Sequence, residues 1–216
     1  MIDKVWSDVD AYIEDHLVGD DPALAAALKD STAAGLPAIA VSPAQGKQLY
    51  LMALSIGAKR ILEVGTLGGY STIWMARALP AGGELISLEI DPKHAAVART
   101  NIARAKPTAK VDVIVGKAID SLKGLTGPFD LVFIDADKES NADYFAEALR
   151  MSRQGSIIIV DNVARGGAVI DPNGNSMVQG VRRLFDMVSK EKRISATAIQ
   201  TVGAKGYDGF LMAVVL

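Results

Sequence analysis

The chain has 216 residues, with 23 Lys and Arg against 25 Asp and Glu, a formal charge of −2, an apolar fraction of 50% and no cysteine. That length suits one core of ordinary domain size, and the balanced charge offers no electrostatic footing for nucleic acid or an anionic membrane, both of which recruit clustered Lys and Arg. The missing cysteines exclude disulfides, thiolate catalysis, zinc fingers and iron–sulfur clusters.

The start, Met1-Ile2-Asp3-Lys4-Val5-Trp6-Ser7-Asp8, is mixed and charged, unlike a secretory signal. No run reaches the roughly 18–20 apolar residues of a membrane span. A soluble, cytoplasmic protein is expected. Val5, Val9, Tyr12, Ile13 and Leu17 recur at helical spacing and Pro22 to Leu28 continues the habit, so residues 1–30 read as helical and form a cap outside the main sheet. Ala33-Ala34-Gly35-Leu36-Pro37 breaks the pattern. Ser42 and Pro43 then have the form of an N-cap and first helical residue, opening a helix expected to run to about Gly57.

From Lys59 onward, short apolar runs alternate with helix-length segments. The runs are Arg60-Ile61-Leu62-Glu63-Val64, Glu84-Leu85-Ile86-Ser87-Leu88-Glu89, Val111-Asp112-Val113-Ile114-Val115, Phe129-Asp130-Leu131-Val132-Phe133-Ile134 and Ser156-Ile157-Ile158-Ile159-Val160. Amphipathic pieces such as 92–105 and 141–152 lie between them, so strands joined by crossover helices, and hence a parallel sheet, follow. Two last strands, near 195–201 and 209–215, would pair as an antiparallel edge, and 166–175 reads as a mobile loop. The expected fold class is α/β: a doubly wound, mostly parallel sheet with an antiparallel C-terminal edge and a helical N-terminal cap.

In such sheets ligands bind beyond the carboxyl ends of the strands. The first strand runs into Glu63-Val64-Gly65-Thr66-Leu67-Gly68-Gly69-Tyr70-Ser71, where glycines permit a sharp turn and close ligand approach, and a helix start presents free N–H groups. A dinucleotide fingerprint starting at Gly65 needs glycines where Leu67 and Tyr70 stand, which disfavours a pyrophosphate. Glu89, closing the second strand, can accept hydrogen bonds from both hydroxyls of a ribose. Glu63-Val64-Gly65 followed by Glu89 resembles the S-adenosylmethionine sites of Rossmann-like methyltransferases.

The fourth strand ends in Asp135-Ala136-Asp137-Lys138 and the fifth in Asp161-Asn162. Asp135, Asp161 and Asn162 would meet on one rim of the sheet and offer hard oxygen ligands suited to Mg²⁺, with Mn²⁺ or Ca²⁺ as substitutes. Neighbours in a regular strand point to opposite faces, so Asp161 and Asn162 can share a metal only if the strand ends there. The alternative is that they merely open a turn. His16 and His94 read as ordinary surface residues.

Together, Glu63 to Ser71, Asp135-Ala136-Asp137-Lys138 and Asp161-Asn162-Val163 resemble, in order and separation, the cation-dependent O-methyltransferases, the caffeoyl-CoA and catechol O-methyltransferase family, from about Pro37 to the C-terminus. The resemblance implies one methyltransferase domain over 1–216, with 1–36 as the cap and 37–216 as the S-adenosylmethionine-binding core. It implies Asp135, Asp161 and Asn162 as metal ligands and Lys138 as the general base, with Asp135 beside it in the catalytic pair. Val41, Glu63, Gly65, Thr66, Ser71, Glu89, Ala118 and Asp135 take the positions that hold the cofactor: Val41 by its carboxylate, Gly65 and Ser71 near its methionine end, Glu89 on its ribose, Ala118 by its adenine. The implied partner is a small aromatic acceptor bearing two vicinal hydroxyls, and relatives form homodimers; Trp6, Val9 and Ile13 either supply an apolar face for one or pack on their own domain.

The chain also departs from the family pattern. Arg165 stands where an aromatic residue follows the Asp-Asn pair, Asp137 where the catechol enzyme has a tryptophan, and no acid matches its acceptor-gripping glutamate near Val202. Arg165 could meet an anionic acceptor or a solvent-side carboxylate. Two other readings stay open on the sequence alone: an NAD(P)-dependent oxidoreductase on a Rossmann fold, and a non-catalytic methyltransferase-like binding module.

Overall fold

The computed structural model describes Lys4–Leu216; Met1, Ile2 and Asp3, part of the expected cap, lie outside the described residues. Helix α1 (Lys4–Ile13) passes into a π-helical turn (Glu14–Val18), and α2 (Pro22–Ala33) follows. Asp21 starts α2 by accepting the N–H groups of Ala23 at 2.9 Å and Leu24 at 3.0 Å, with Pro22 at the first helical position. Helix α3 (Pro43–Ser55) opens as expected, on Ser42, and stops a little short of Gly57.

Among the described residues the sheet has seven strands, β1 (Arg60–Val64), β2 (Glu84–Glu89), β3 (Lys110–Val115), β4 (Phe129–Ile134), β5 (Ser152–Asp161), β6 (Ile194–Gly203) and β7 (Gly206–Val215). Their order is β3-β2-β1-β4-β5-β7-β6, parallel except for β7, which runs antiparallel to both its neighbours. Helices α4 (Tyr70–Arg77), α5 (Pro92–Ala105), α6 (Ala118–Gly124), α7 (Asn141–Arg150) and α8 (Ser176–Val188) complete the chain. The doubly wound α/β expectation holds.

Alternation along each strand divides the core in two. Ile61, Leu85, Leu131, Phe133 and Ile157 face one side, against Leu49, Ile73, Met75 and Ala98 of α3, α4 and α5. Leu62, Ile86, Val132, Ile134 and Ile158 face the other, against Leu122, Phe145, Ala148 and Leu184 of α6, α7 and α8. Both faces of the central strands are therefore covered, which their near-continuous apolar runs require.

Three segments differ from expectation. The helix expected over 141–152 ends at Arg150 because β5 already begins at Ser152. The last two strands are longer than expected; β6 is an edge strand whose interior positions are all exposed, so burial imprints no alternation on its sequence. In place of a loop over 166–175, Arg165–Ile170 winds into short 3-10 turns around Gly166 and Gly167, at φ 61° and 89°.

The cap is tied to the sheet through polar contacts. Asp21 pairs with Arg77 of α4 at 2.5 Å and Asp30 with Arg104 of α5 at 2.5 Å. Asn101, fully buried, donates to the carbonyl of Gly68 at 2.9 Å and of Ala27 at 3.4 Å and accepts from Arg104 at 3.1 Å, clamping the loop after β1 between α5 and α2. Asn101→Ala strands these groups without a partner and should lower stability by about 1–3 kcal/mol. Urea unfolding checks this; an unchanged midpoint would contradict the clamp.

Candidate active site

The strand order reverses between β1 and β4, so the loops leaving these strands part and open a cleft at their carboxyl ends. The loop after β1 turns through positive φ at Gly65 (101°), Leu67 (49°) and Gly69 (82°). A Cβ on Gly65 would stand 2.0 Å from the carbonyl oxygen of Asp135, so only glycine lets this loop lie against the end of β4.

Two acids brace the loop from different sides. Glu89 accepts the N–H groups of Leu67 at 2.7 Å and Thr66 at 3.2 Å on one oxygen and that of Asp91 at 3.0 Å on the other. Glu63, 0% exposed, accepts the hydroxyls of Ser71 and Thr72 at 2.5 Å each and of Ser87 at 2.6 Å. Burial pushes its carboxyl up to about 7, against the pull of these three hydroxyls and with a further rise from the charge of Asp135.

The cleft is a cavity of about 810 Å³. Of the residues singled out in the sequence, Val41, Gly65, Thr66, Ser71, Glu89, Ala118, Asp135, Lys138 and Asn162 line it. Glu63 does not: it points beneath the loop, where it fixes the first turn of α4 and the wall residue Ser71. Asp161 also stands behind the wall. His94, read as an ordinary surface residue, belongs to the lining, with Nδ1 3.6 Å from Glu89 Oε1 and Nε2 3.9 Å from Asp91 Oδ2. His16 is exposed and stacks on Tyr12.

The acid cluster follows from register. Ile134 of β4 pairs with Val160 of β5, so the next residues, Asp135 and Asp161, come abreast on neighbouring strands. Strand β5 ends at Asp161, and Asn162 leaves it with φ 58°, so the two side chains escape the alternation of a regular strand. Asp161 is 5% exposed; burial and then the charge of Asp135 push its carboxyl up to about 6, opposed by a hydrogen bond from Gln45 of α3 and by the charge of Lys138. Lys138 is buried at 6% exposure and donates to Asp135 Oδ1 at 2.7 Å.

A buried carboxylate, Asp161, whose charge is disfavoured by the half-buried Asp135 beside it, with a carboxamide next to them and an open cavity in front, fits a hard divalent cation with positions left for water or substrate. Among the described residues no group of three or more His, Cys, Asp or Glu gathers for a metal; this set has two acids and an amide. Asp137 accepts the Tyr144 hydroxyl at 2.5 Å in the same wall, and burial followed by that carboxylate raises the Tyr144 pKa. Arg165 lines the cavity, and its Nη1 stands 3.9 Å from Asp208 Oδ2.

A family model described as "O-methyltransferase" matches residues 14–212. The chain is 54% identical to a catechol O-methyltransferase of Mycobacterium tuberculosis over 96% of this chain and 95% of that one. It is 53% identical to a catechol O-methyltransferase of Niastella koreensis over the full length of both. Among solved structures, an O-methyltransferase from Bacillus cereus in complex with SAH superposes with a TM-score of 0.96 at 51% identity, covering 99% of each chain.

Glu63 makes a test of the buried loop support. Its carboxyl, held at about 7 against an ordinary value of 4.5, binds its proton more tightly in the folded chain than in the unfolded one. Its contribution to stability is therefore complete below about pH 4.5 and is lost as pH rises through about 7. Glu63→Gln, neutral throughout, should flatten this part of the profile and remove a loss on the order of 2–3 kcal/mol. Urea titrations near about pH 5 and about pH 8 measure it; an equally steep fall in the variant would be the contrary result.

Proposed function

The chain belongs to the O-methyltransferase family, as an S-adenosylmethionine-dependent enzyme, and on that premise we propose that it methylates one hydroxyl of a catechol-like, vicinal dihydroxy aromatic with the help of a divalent cation. Mg²⁺ suits the donor set, and Mn²⁺ or Ca²⁺ could replace it. The observation that carries the reading is the meeting of half-buried Asp135 with buried Asp161 beside Asn162 and Lys138, at the edge of the cavity that Glu89 and the glycine loop line. The acceptor class rests on the catechol O-methyltransferases that match at 53–54% identity.

Methyl transfer from a sulfonium to an oxygen is an in-line displacement, and a phenol of ordinary pKa, about 10, is mostly protonated at neutral pH. Bound at Asp135, Asp161 and Asn162, the cation would lower that pKa and fix the acceptor's two oxygens. Lys138, in its neutral amine form, would accept the proton that leaves the reacting hydroxyl and so become the ammonium that faces Asp135. At the other end of the cavity, Glu89 would accept the ribose hydroxyls, with His94 beside the oxygen that also takes the Asp91 N–H. Ala118 would border the adenine, Gly65 and Ser71 the methionine portion, and Val41 its carboxylate. Glu63 would contribute from below, by holding Ser71 in place.

The same reading includes a cytoplasmic homodimer. Val5, Val9, Tyr12 and Leu17 leave apolar side chains exposed on the cap, and Ile199 and Val202 do so on the edge strand β6. Trp6 and Ile13 are only half-buried beside them. Among the described residues no helix is long and apolar enough to cross a membrane.

Labelled S-adenosylmethionine offered with a panel of catechols, caffeoyl esters and flavonoids tests the function. Transfer to a vicinal dihydroxy acceptor should stop on chelation with EDTA and return with Mg²⁺. Lys138→Ala should lower kcat by roughly 10²–10⁴-fold while S-adenosylhomocysteine still binds. Transfer that survives complete chelation would refute the metal role.

A further inference from the structure

Three cations border the acid cluster, and two of them have carboxylate partners. Lys138 pairs with Asp135 at 2.7 Å, and Arg165 faces Asp208 at 3.9 Å. Lys205 sits in the two-residue turn between β6 and β7. Among the described residues no carboxylate lies within ion-pair distance of it, and its ammonium donates instead to the main-chain carbonyl of Ala40, a residue of the main cavity wall. The residue as a whole is exposed, but its ammonium is turned inward and partly desolvated, and it feels the charges of both Asp135 and Asp161.

Lys205 also lines a second, smaller cavity of about 210 Å³ together with Ser42, Gln45, Gln48 and Thr201. Gln45 hydrogen-bonds Asp161, so one wall residue of the second cavity touches the acid cluster. Asp10, the acid in that wall, has one oxygen occupied by the N–H of Ala204 at 2.7 Å and thereby holds the turn that carries Lys205.

Charge balance indicates what this ammonium is for, given the function proposed above, on which the argument rests. Asp135 and Asp161 are matched by Lys138 and Lys205 when nothing else is bound. A divalent cation on the two carboxylates adds two positive charges, and an acceptor ionised at its reacting hydroxyl returns only one negative charge. Lys205 is then a partly desolvated cation with a neutral carbonyl as its partner, next to a small cavity whose wall carries the polar side chains of Ser42, Gln45, Gln48 and Thr201. We infer that Lys205 is a specificity-determining residue that pairs with a carboxylate carried on the acceptor's ring and seated in the small cavity.

Titration calorimetry in the presence of S-adenosylhomocysteine and Mg²⁺ tests this, with 3,4-dihydroxybenzoate and uncharged 1,2-dihydroxybenzene as probes. Lys205→Met should weaken dihydroxybenzoate about tenfold or more, the scale of one charge-assisted hydrogen bond, and change dihydroxybenzene by less than about twofold. Lys205→Arg should keep most of the preference for the carboxylate. S-Adenosylhomocysteine should bind the wild type and both variants alike. Equal weakening of both probes, or a loss of S-adenosylhomocysteine binding, would overturn the inference and leave Lys205 a brace for the Ala40 loop; unchanged affinities would overturn it too. A wild-type protein that binds neither probe would instead overturn the catechol reading itself, and the inference with it.

Discussion

A buried carboxylate with a half-buried one beside it is unfavourable unless positive charge meets them, and this constraint organises the candidate site. Parallel register brings Asp135 and Asp161 abreast, and burial with mutual repulsion holds the Asp161 carboxyl at about 6. Lys138 answers one of them directly. Gln45 answers the other from α3, whose start is set by Ser42 and Pro43. A hard divalent cation is a ligand that the oxygens of Asp135, Asp161 and Asn162 would match.

The donor side is organised by a second buried acid of another kind. Three hydroxyls surround Glu63, with no cation paired to it among the described residues, and its carboxyl is held near neutral pH. It ties β1, β2 and the first turn of α4 together beneath the loop, while Glu89 takes the loop's N–H groups at the cavity surface. Loop shape thus depends on acids at two depths, and the cap reaches the same loop through Asn101. Substitutions in the cap should be felt at the cavity through these contacts.

Much of this was legible before any coordinates. Runs such as Phe129–Ile134 mark strands because a doubly covered sheet demands continuous apolar residues, and the same strand ends place Asp135 and Asp161 on one rim. The sharp exit at Asn162 was the condition the metal reading required, and its φ of 58° meets it. What stayed hidden depends on side-chain direction and on distant partners. Glu63 belongs to the right motif yet points under the loop, His94 looks like any helix residue until α5 turns it toward Glu89, and Lys205 reaches Ala40 across a long stretch of chain. The edge strand β6 carries no alternating burial, so its ends could not be read either. Membership of the O-methyltransferase family answers the nicotinamide alternative, which Leu67 and Tyr70 had already disfavoured.

The central claim is that Asp135, Asp161 and Asn162 hold one divalent ion at the cavity edge. Mn²⁺ titration followed by electron paramagnetic resonance, with S-adenosylhomocysteine bound, tests it without any acceptor. The account predicts one protein-bound Mn²⁺ per chain whose binding is lost in Asp161→Ala, and bound Mn²⁺ that is absent from the wild type, or indifferent to that substitution, would contradict it.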